Sequence, residues 1–245
     1  YGRSPRLPHA AELLLAAMAE LFPQGQACAA LMGLFPTQPA LPSELICTHL
    51  LRDASYAALG VCAWVLEAKL SFRQVLDAAA REVSAVSEHP RLPLGALLQA
   101  RIGWLLSCWW AFGSAGDGEE DTKACADTYA LLCHLLRHGV DMAVRLRASH
   151  SLYTFLSDTA NDDLEAFVPV AAEAALALSE CLLACQGEDA LLRLLSTLEQ
   201  VLRVPDANLA SLPQALEVLW ARAQRAGQQL VAAQLHRVAS LWHTA

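Results

Sequence analysis

His134 and His138 have the spacing of a chemical site, because positions i and i+4 on a helix present two imidazoles from one face. A zinc centre needs further ligands, and a metalloprotease helix needs a Glu directly after its first His, where this chain has Leu135. Cys125 and Cys133 are close in sequence, yet Cys133 is turned about 100° from His134 around a helix. Cys181 and Cys185 share a face with Leu178 and Leu182, a pattern that suits packing better than bridging. The glycines of Gly113-Ser-Ala-Gly-Asp-Gly118 suggest a phosphate loop, but the closing Gly-Lys-Ser/Thr is missing and carboxylates follow. There is no Gly-x-Ser-x-Gly elbow. Trp104, Trp109 and Trp110 are expected to fill gaps between helices. The expectation is a chain with no catalytic residues, no metal site and no cofactor.

What remains is surface chemistry. Asp117, Glu119, Glu120 and Asp121 form the one dense charge run, expected as an exposed acidic loop able to steer a basic partner. Five arginines, Arg52, Arg101, Arg145, Arg193 and Arg237, lie in apolar segments at intervals of 44 to 49 residues. A period of about 40 to 47 residues is that of paired-helix repeats, in which one unit buries its apolar face only when a neighbour stacks on it. Arg at one repeated phase is expected chiefly to pair with a carboxylate of the next unit. Arg101, Arg145 and Arg193, with the acidic run, are the candidates for touching a partner.

These residues must be carried on helices, since apolar positions recur with helical spacing and no useful alternating run appears. The spacing predicts helices over 9–22, 26–34, 44–69 with a break near Leu51, 71–88, 95–113, 122–138, 141–158, 163–186, 188–203, 208–226 and 228–244. Ser71, Asp141, Asp163 and Asn208 stand where N-caps belong. Gly187 and Gly227 follow long helices, and Pro23, Pro36, Pro39 and Pro42 make residues 1–43 an irregular start. Within 141–158, the residues Val144, Ala148, Leu152, Phe155 and Leu156 form one apolar stripe. The short link His138 to Asp141 forces an antiparallel pair with the preceding helix. The fold class is all-α, a right-handed α-α superhelix of HEAT or armadillo type, as one domain over 1–245 with repeat units from about residue 44.

Composition agrees with a binding surface. At 55% hydrophobic and 17% charged, 245 residues can bury a continuous core. The 25 acidic and 17 basic residues give a net charge of -8, which argues against nucleic acid as a direct partner. The longest uncharged stretch of membrane-like character, 102–116, falls short of the roughly 18 to 20 residues a bilayer span needs, so no membrane is expected. Eight cysteines sit mostly among apolar residues and are read as reduced and intracellular. The start, Tyr-Gly-Arg-Ser-Pro, is read as that of a piece of a longer protein. The final helix, with Leu230, Val231, Leu235, Val238, Leu241 and Trp242, is expected to carry more apolar surface than the helix before it covers.

Asp141-Met-Ala-Val144-Arg145-Leu-Arg-Ala148 resembles the turn and second helix of a HEAT repeat. Arg52-Asp53-Ala-Ser-Tyr56-Ala-Ala-Leu-Gly60, followed by Arg101-Ile-Gly-Trp104 and Trp109, resembles the central part of the importin eleven branch of the importin-β family. Thr128-Tyr129, Phe167-Val-Pro169, Leu212-Pro213 and Leu219-Trp220 resemble it in the same order, so the likeness runs over about residues 44–245. It implies a nuclear transport receptor that shuttles between cytoplasm and nucleus through the pores. Its partner would be protein cargo, held on a surface of stacked second helices, with import the expected direction and nucleoporins as further partners. The amino-terminal region that grips Ran-GTP has no counterpart here, so Ran GTPase would be bound by regions outside this chain. The competing class is a HEAT scaffold of other employment, such as a phosphatase or assembly scaffold.

Overall fold

The computed structural model describes residues 31–33, 35–36, 38–41, 44–67, 69–89, 91–92, 94–113, 119–158, 164–204 and 212–242. The helices expected over 9–22 and most of 26–34, the caps at Asp163 and Asn208, and Asp117 lie outside them. Every regular element among the described residues is helical. The chain divides into two compact units, Tyr1–Gly116 and Asp117–Ala245.

In the first unit, helix α1 spans Ile46–Val61, α2 Ala63–Leu66, α3 Phe72–Glu88 and α4 Gly95–Gly113. The break expected near Leu51 is instead at Cys62, which leaves helical geometry at φ -101 and ψ 20 while Arg52 and Leu51 stay inside α1. Helix α3 begins where Ser71 predicts, through a reciprocal capping box: the Ser71 hydroxyl accepts from the Gln74 amide and the Gln74 side chain accepts from Ser71 N–H.

Helix α4 is apolar nearly all round because it packs on both α1 and α3. Leu98, Ile102, Leu105, Leu106, Trp109 and Trp110 are all buried. Its contact with α1 is close because Gly60 has no side chain: a Cβ there would stand 2.5 Å from the Trp104 ring. Trp109 Nε1–H donates to the Leu59 carbonyl at 3.1 Å, and Arg101 grips Asp53 with bonds of 2.9 and 3.3 Å. The Arg101 guanidinium also lies over the Trp104 ring, 5.1 Å from its centroid.

In the second unit, α5 spans Glu119–His138, α6 Met142–Asp158, α7 Leu164–Ala184, α8 Glu188–Leu202, α9 Leu212–Ala226 and α10 Gln229–Trp242. The packing alternates. Helices α5, α7 and α9 contact one another in that order, α6, α8 and α10 do likewise, and each member of one series touches its sequence neighbour in the other. That pattern is compatible with a helical solenoid. Asp141 caps α6, its carboxylate accepting from Val144 N–H at 2.9 Å. The stripe Val144, Ala148, Leu152, Phe155 and Leu156 is buried as its spacing predicts, and Phe155 meets Tyr129 of α5 edge-on at 6.3 Å. Gly227, at φ +67, ends α9 in the left-handed conformation that glycine adopts without strain.

Two expectations change. Helix α5 opens at Glu119, three residues before the expected start, so Glu119, Glu120 and Asp121 form a first helical turn rather than part of a loop. Carboxylates suit that place because the amide groups of a helix N-terminus carry partial positive charge. The apolar side of α10 is better covered than its sequence suggests: Val231, Leu235 and Val238 are buried because α8 as well as α9 packs on it, while Leu230 stays 66% exposed. Helix α7 has the length and hydropathy, 1.7, of a membrane span. It is also the middle helix of its series, and Glu173 on it is paired with Arg137 of α5 at 3.2 Å.

Candidate functional site

The five periodic arginines meet different fates. Arg52 reaches Glu44 at 3.3 Å, Glu82 at 3.5 Å and the Gln38 carbonyl. Arg101 pairs with Asp53, and Arg237 lies 3.7 Å from Glu199. Each of these three is bound to a carboxylate outside its own helix. Arg145 turns back instead, donating from Nε to the Gly139 carbonyl of its own turn at 3.2 Å, and lies beside Cys181. Arg193 has no acceptor for its guanidinium among the described residues.

Arg193 lines a cavity of about 400 Å³ in the second unit, between α6 and α8, together with Ala143, Leu146, Arg147, His150, Asp189 and Ala190. Arg147 and His150 are three residues apart on α6 and so share a face. Arg193 faces them from the first half of α8. The Arg147 guanidinium also has no acceptor among the described residues, and Asp189 forms an ion pair with neither arginine. The His150 imidazole is held below its ordinary pKa, first by partial desolvation and then by the Arg147 and Arg193 charges. Near neutral pH the groove therefore presents two fixed cations and a neutral imidazole.

The groove walls are fixed to one another. The Ser149 hydroxyl donates to Thr197 Oγ1 at 2.9 Å, and the Thr197 hydroxyl lies 3.2 Å from the Ser149 carbonyl; both residues are buried. Further along α8, Glu199 accepts from Arg203 at 2.7 Å and from Gln234 of α10 at 2.8 Å. Such polar contacts inside an apolar interface fix the register of neighbouring helices.

Of the described side chains expected to touch a partner, Arg193 alone lines this groove. Arg101 is committed to Asp53 and Trp104, Arg145 to its turn, and Glu119, Glu120 and Asp121 open α5 at the other end of the sequence of this unit. Arg147 and His150 were not singled out by the sequence. The signal that finds them is the interval of 46 residues between Arg147 and Arg193, which fits the repeat as well as the 48 from Arg145 does.

The His134 and His138 rings lie 5.1 Å apart on α5, and no group of three potential metal ligands is found among the described residues. In the first unit, a second cavity of about 350 Å³ is lined by Phe35, Pro36, Gln38, Glu44, Thr48, Leu51, Arg52 and Ser55. Its cation is already neutralised by Glu44 and Glu82, so its chemistry is that of a structural cluster. Compared with protein-family models, with curated proteins and with solved structures, the chain matches none.

Proposed function

We propose that this chain is the protein-binding segment of a nuclear transport receptor of the importin-β type, built from HEAT-type helix pairs wound as a right-handed α-solenoid. The observation that carries the reading is the alternating contact of α5, α7 and α9 in one series and α6, α8 and α10 in the other. Stacked pairs of this kind generate extended binding faces rather than enclosed pockets. The family resemblance adds the transport role, and it is supported by where its residues meet in the first unit: Asp53 on Arg101, Gly60 under Trp104, Leu59 on Trp109. Protein cargo would lie on the second-helix series, α6, α8 and α10. Ran-GTP would be gripped by another part of the receptor, and the complex would pass between cytoplasm and nucleus.

The test is a pull-down of cargo with the full receptor, with and without GTP-loaded Ran. Release of cargo by Ran-GTP is the expected result and marks import; a requirement for Ran-GTP marks export. Cargo binding that ignores Ran assigns the chain to scaffolds of other employment. The chain alone is expected to bind Ran-GTP far more weakly than the full receptor.

A further inference from the structure

We propose that the groove between α6 and α8 docks an acidic segment of a partner protein, with carboxylates held by Arg147 and Arg193 beside the apolar lining of Ala143, Leu146 and Ala190. The proposal rests on reading the second-helix series as a protein-binding face, and it names the chemistry that one place on that face selects.

Arg52, Arg101 and Arg237 each have a carboxylate within 4.0 Å, whereas Arg147 and Arg193 have none among the described residues and converge on one cavity. Partial desolvation and then these two charges hold the His150 pKa down, and an entering anion would offset the positive charges. A guanidinium offers a planar fork of N–H donors that matches a carboxylate with two parallel bonds. His150 adds a donor that needs no charge, and a bound carboxylate would favour its protonation. A volume of about 400 Å³ admits a few side chains, and the alanines and Leu146 of its lining accept apolar groups beside the carboxylate. Ser149 and Thr197 hold the two helices in place, so little ordering is needed on binding.

Nucleic acid fits less well. Its affinity comes from many phosphates neutralised along a basic track, but this groove has two arginines, Asp189 on its wall, and a chain of net charge -8 around it. A peptide places one or two carboxylates in the groove and keeps its remaining backbone neutral.

The experiment measures fluorescence anisotropy of the full chain with a short fluorescein-labelled peptide of alternating Glu and Ser. A matched Lys-Ser peptide and a single-stranded oligonucleotide serve as the other probes. The Glu-Ser peptide is expected to bind, to weaken as salt rises, and to lose about tenfold or more in affinity in the double variant Arg147→Ala, Arg193→Ala. Arg225→Ala, which removes one charge from an exposed site on α9, is expected to leave affinity unchanged. Both arginines of the groove are exposed, so the double variant should melt as the parent chain does, which circular dichroism checks. No binding of the Glu-Ser peptide, equal loss in Arg225→Ala, or tighter binding of the oligonucleotide or the Lys-Ser peptide each overturns the proposal. Failure here is separable from failure of the transport reading. Peptide binding lost in the double variant, beside cargo binding indifferent to Ran-GTP, keeps the groove and removes the transport role. Ran-sensitive cargo with no peptide binding does the reverse.

Discussion

Replacing Glu82 by Ala should destabilise the first unit more than any other single polar deletion there. The carboxylate is 1% exposed and collects three donors from outside α3: the Tyr56 hydroxyl at 2.9 Å, the Ala40 amide at 3.0 Å and Arg52 Nη1 at 3.5 Å. Its removal leaves the Tyr56 O–H and Ala40 N–H buried without an acceptor, at about 1 to 3 kcal/mol each. Arg52 is not left as a bare charge, because Glu44 stays 3.3 Å away and the Gln38 carbonyl still accepts from it. The expected cost is therefore about 3 to 5 kcal/mol, a sizeable share of a domain's total stability. Urea unfolding followed by circular dichroism reads it as a lower midpoint, and hydrogen exchange should show the Ala40 amide opening faster. Glu82→Gln keeps the volume and one acceptor oxygen but turns an amide N–H toward a donor, so it should fall between the parent and Glu82→Ala. A Glu82→Ala chain within about 1 kcal/mol of the parent would refute the reasoning, since water or rearrangement would then be satisfying both donors.

The same cluster gives a pH dependence. Burial first, and then the Glu82 carboxylate beside it, raises the Tyr56 phenol above its ordinary 10.0, so its contribution is complete below pH 10.0 and is lost as pH rises beyond that value. Urea midpoints measured across alkaline pH should fall more steeply in the parent than in Tyr56→Phe; parallel curves would contradict the assignment. Gly60→Ala should cost about 1 to 3 kcal/mol because its methyl meets the Trp104 ring, and Trp104→Ala should remove that extra cost, making the pair non-additive in a double-mutant cycle. Additive effects would mean that the ring swings aside freely. Cys133, whose thiol is pushed up to about 12 by burial, should resist iodoacetamide in the folded chain, whereas exposed Cys47 should react; mass spectrometry of the alkylated peptides distinguishes them.

The helices that could be read from sequence are those whose ends are written locally. Ser71 with Gln74 and Asp141 with Val144 are short-range hydrogen-bond devices, and α4 runs over Gly95–Gly113 as expected. The break in α1 was misplaced for the opposite reason. Leu51 carries no stop signal of its own, while Cys62 leaves helical geometry where the chain passes from α1 to the single turn α2, and nothing in the Val61-Cys62-Ala63 run announces that. Polarity misled at 119–121, where acidic residues suggest a loop yet are also what a helix N-terminus stabilises. The burial of α10 depends on α8, some thirty residues earlier, and could not be counted from α9 alone.

The proposed groove is half legible in the sequence for a related reason. Periodicity gives the phase of a residue on its helix, and that suffices to put Arg193 on a repeated face. It does not say which arginine of a closely spaced pair looks outward. Arg145 and Arg147 are two residues apart, about 200° around α6, so one of them points into the turn and the other into the groove. The turn claims Arg145 because the Gly139 carbonyl lies within reach of its Nε, at a helix end that leaves carbonyls to be satisfied. Arg147 is thereby left to solvent and to Arg193. What distinguishes Arg101 from Arg193 is an acceptor on a segment far away in sequence: Asp53 lies 48 residues before Arg101, and no such group meets Arg193 among the described residues. Under the proposed reading, the arginine that keeps the interval of 44 to 49 residues yet meets no acceptor among the described residues, Arg193, is where a partner's acidic side chain should be sought first.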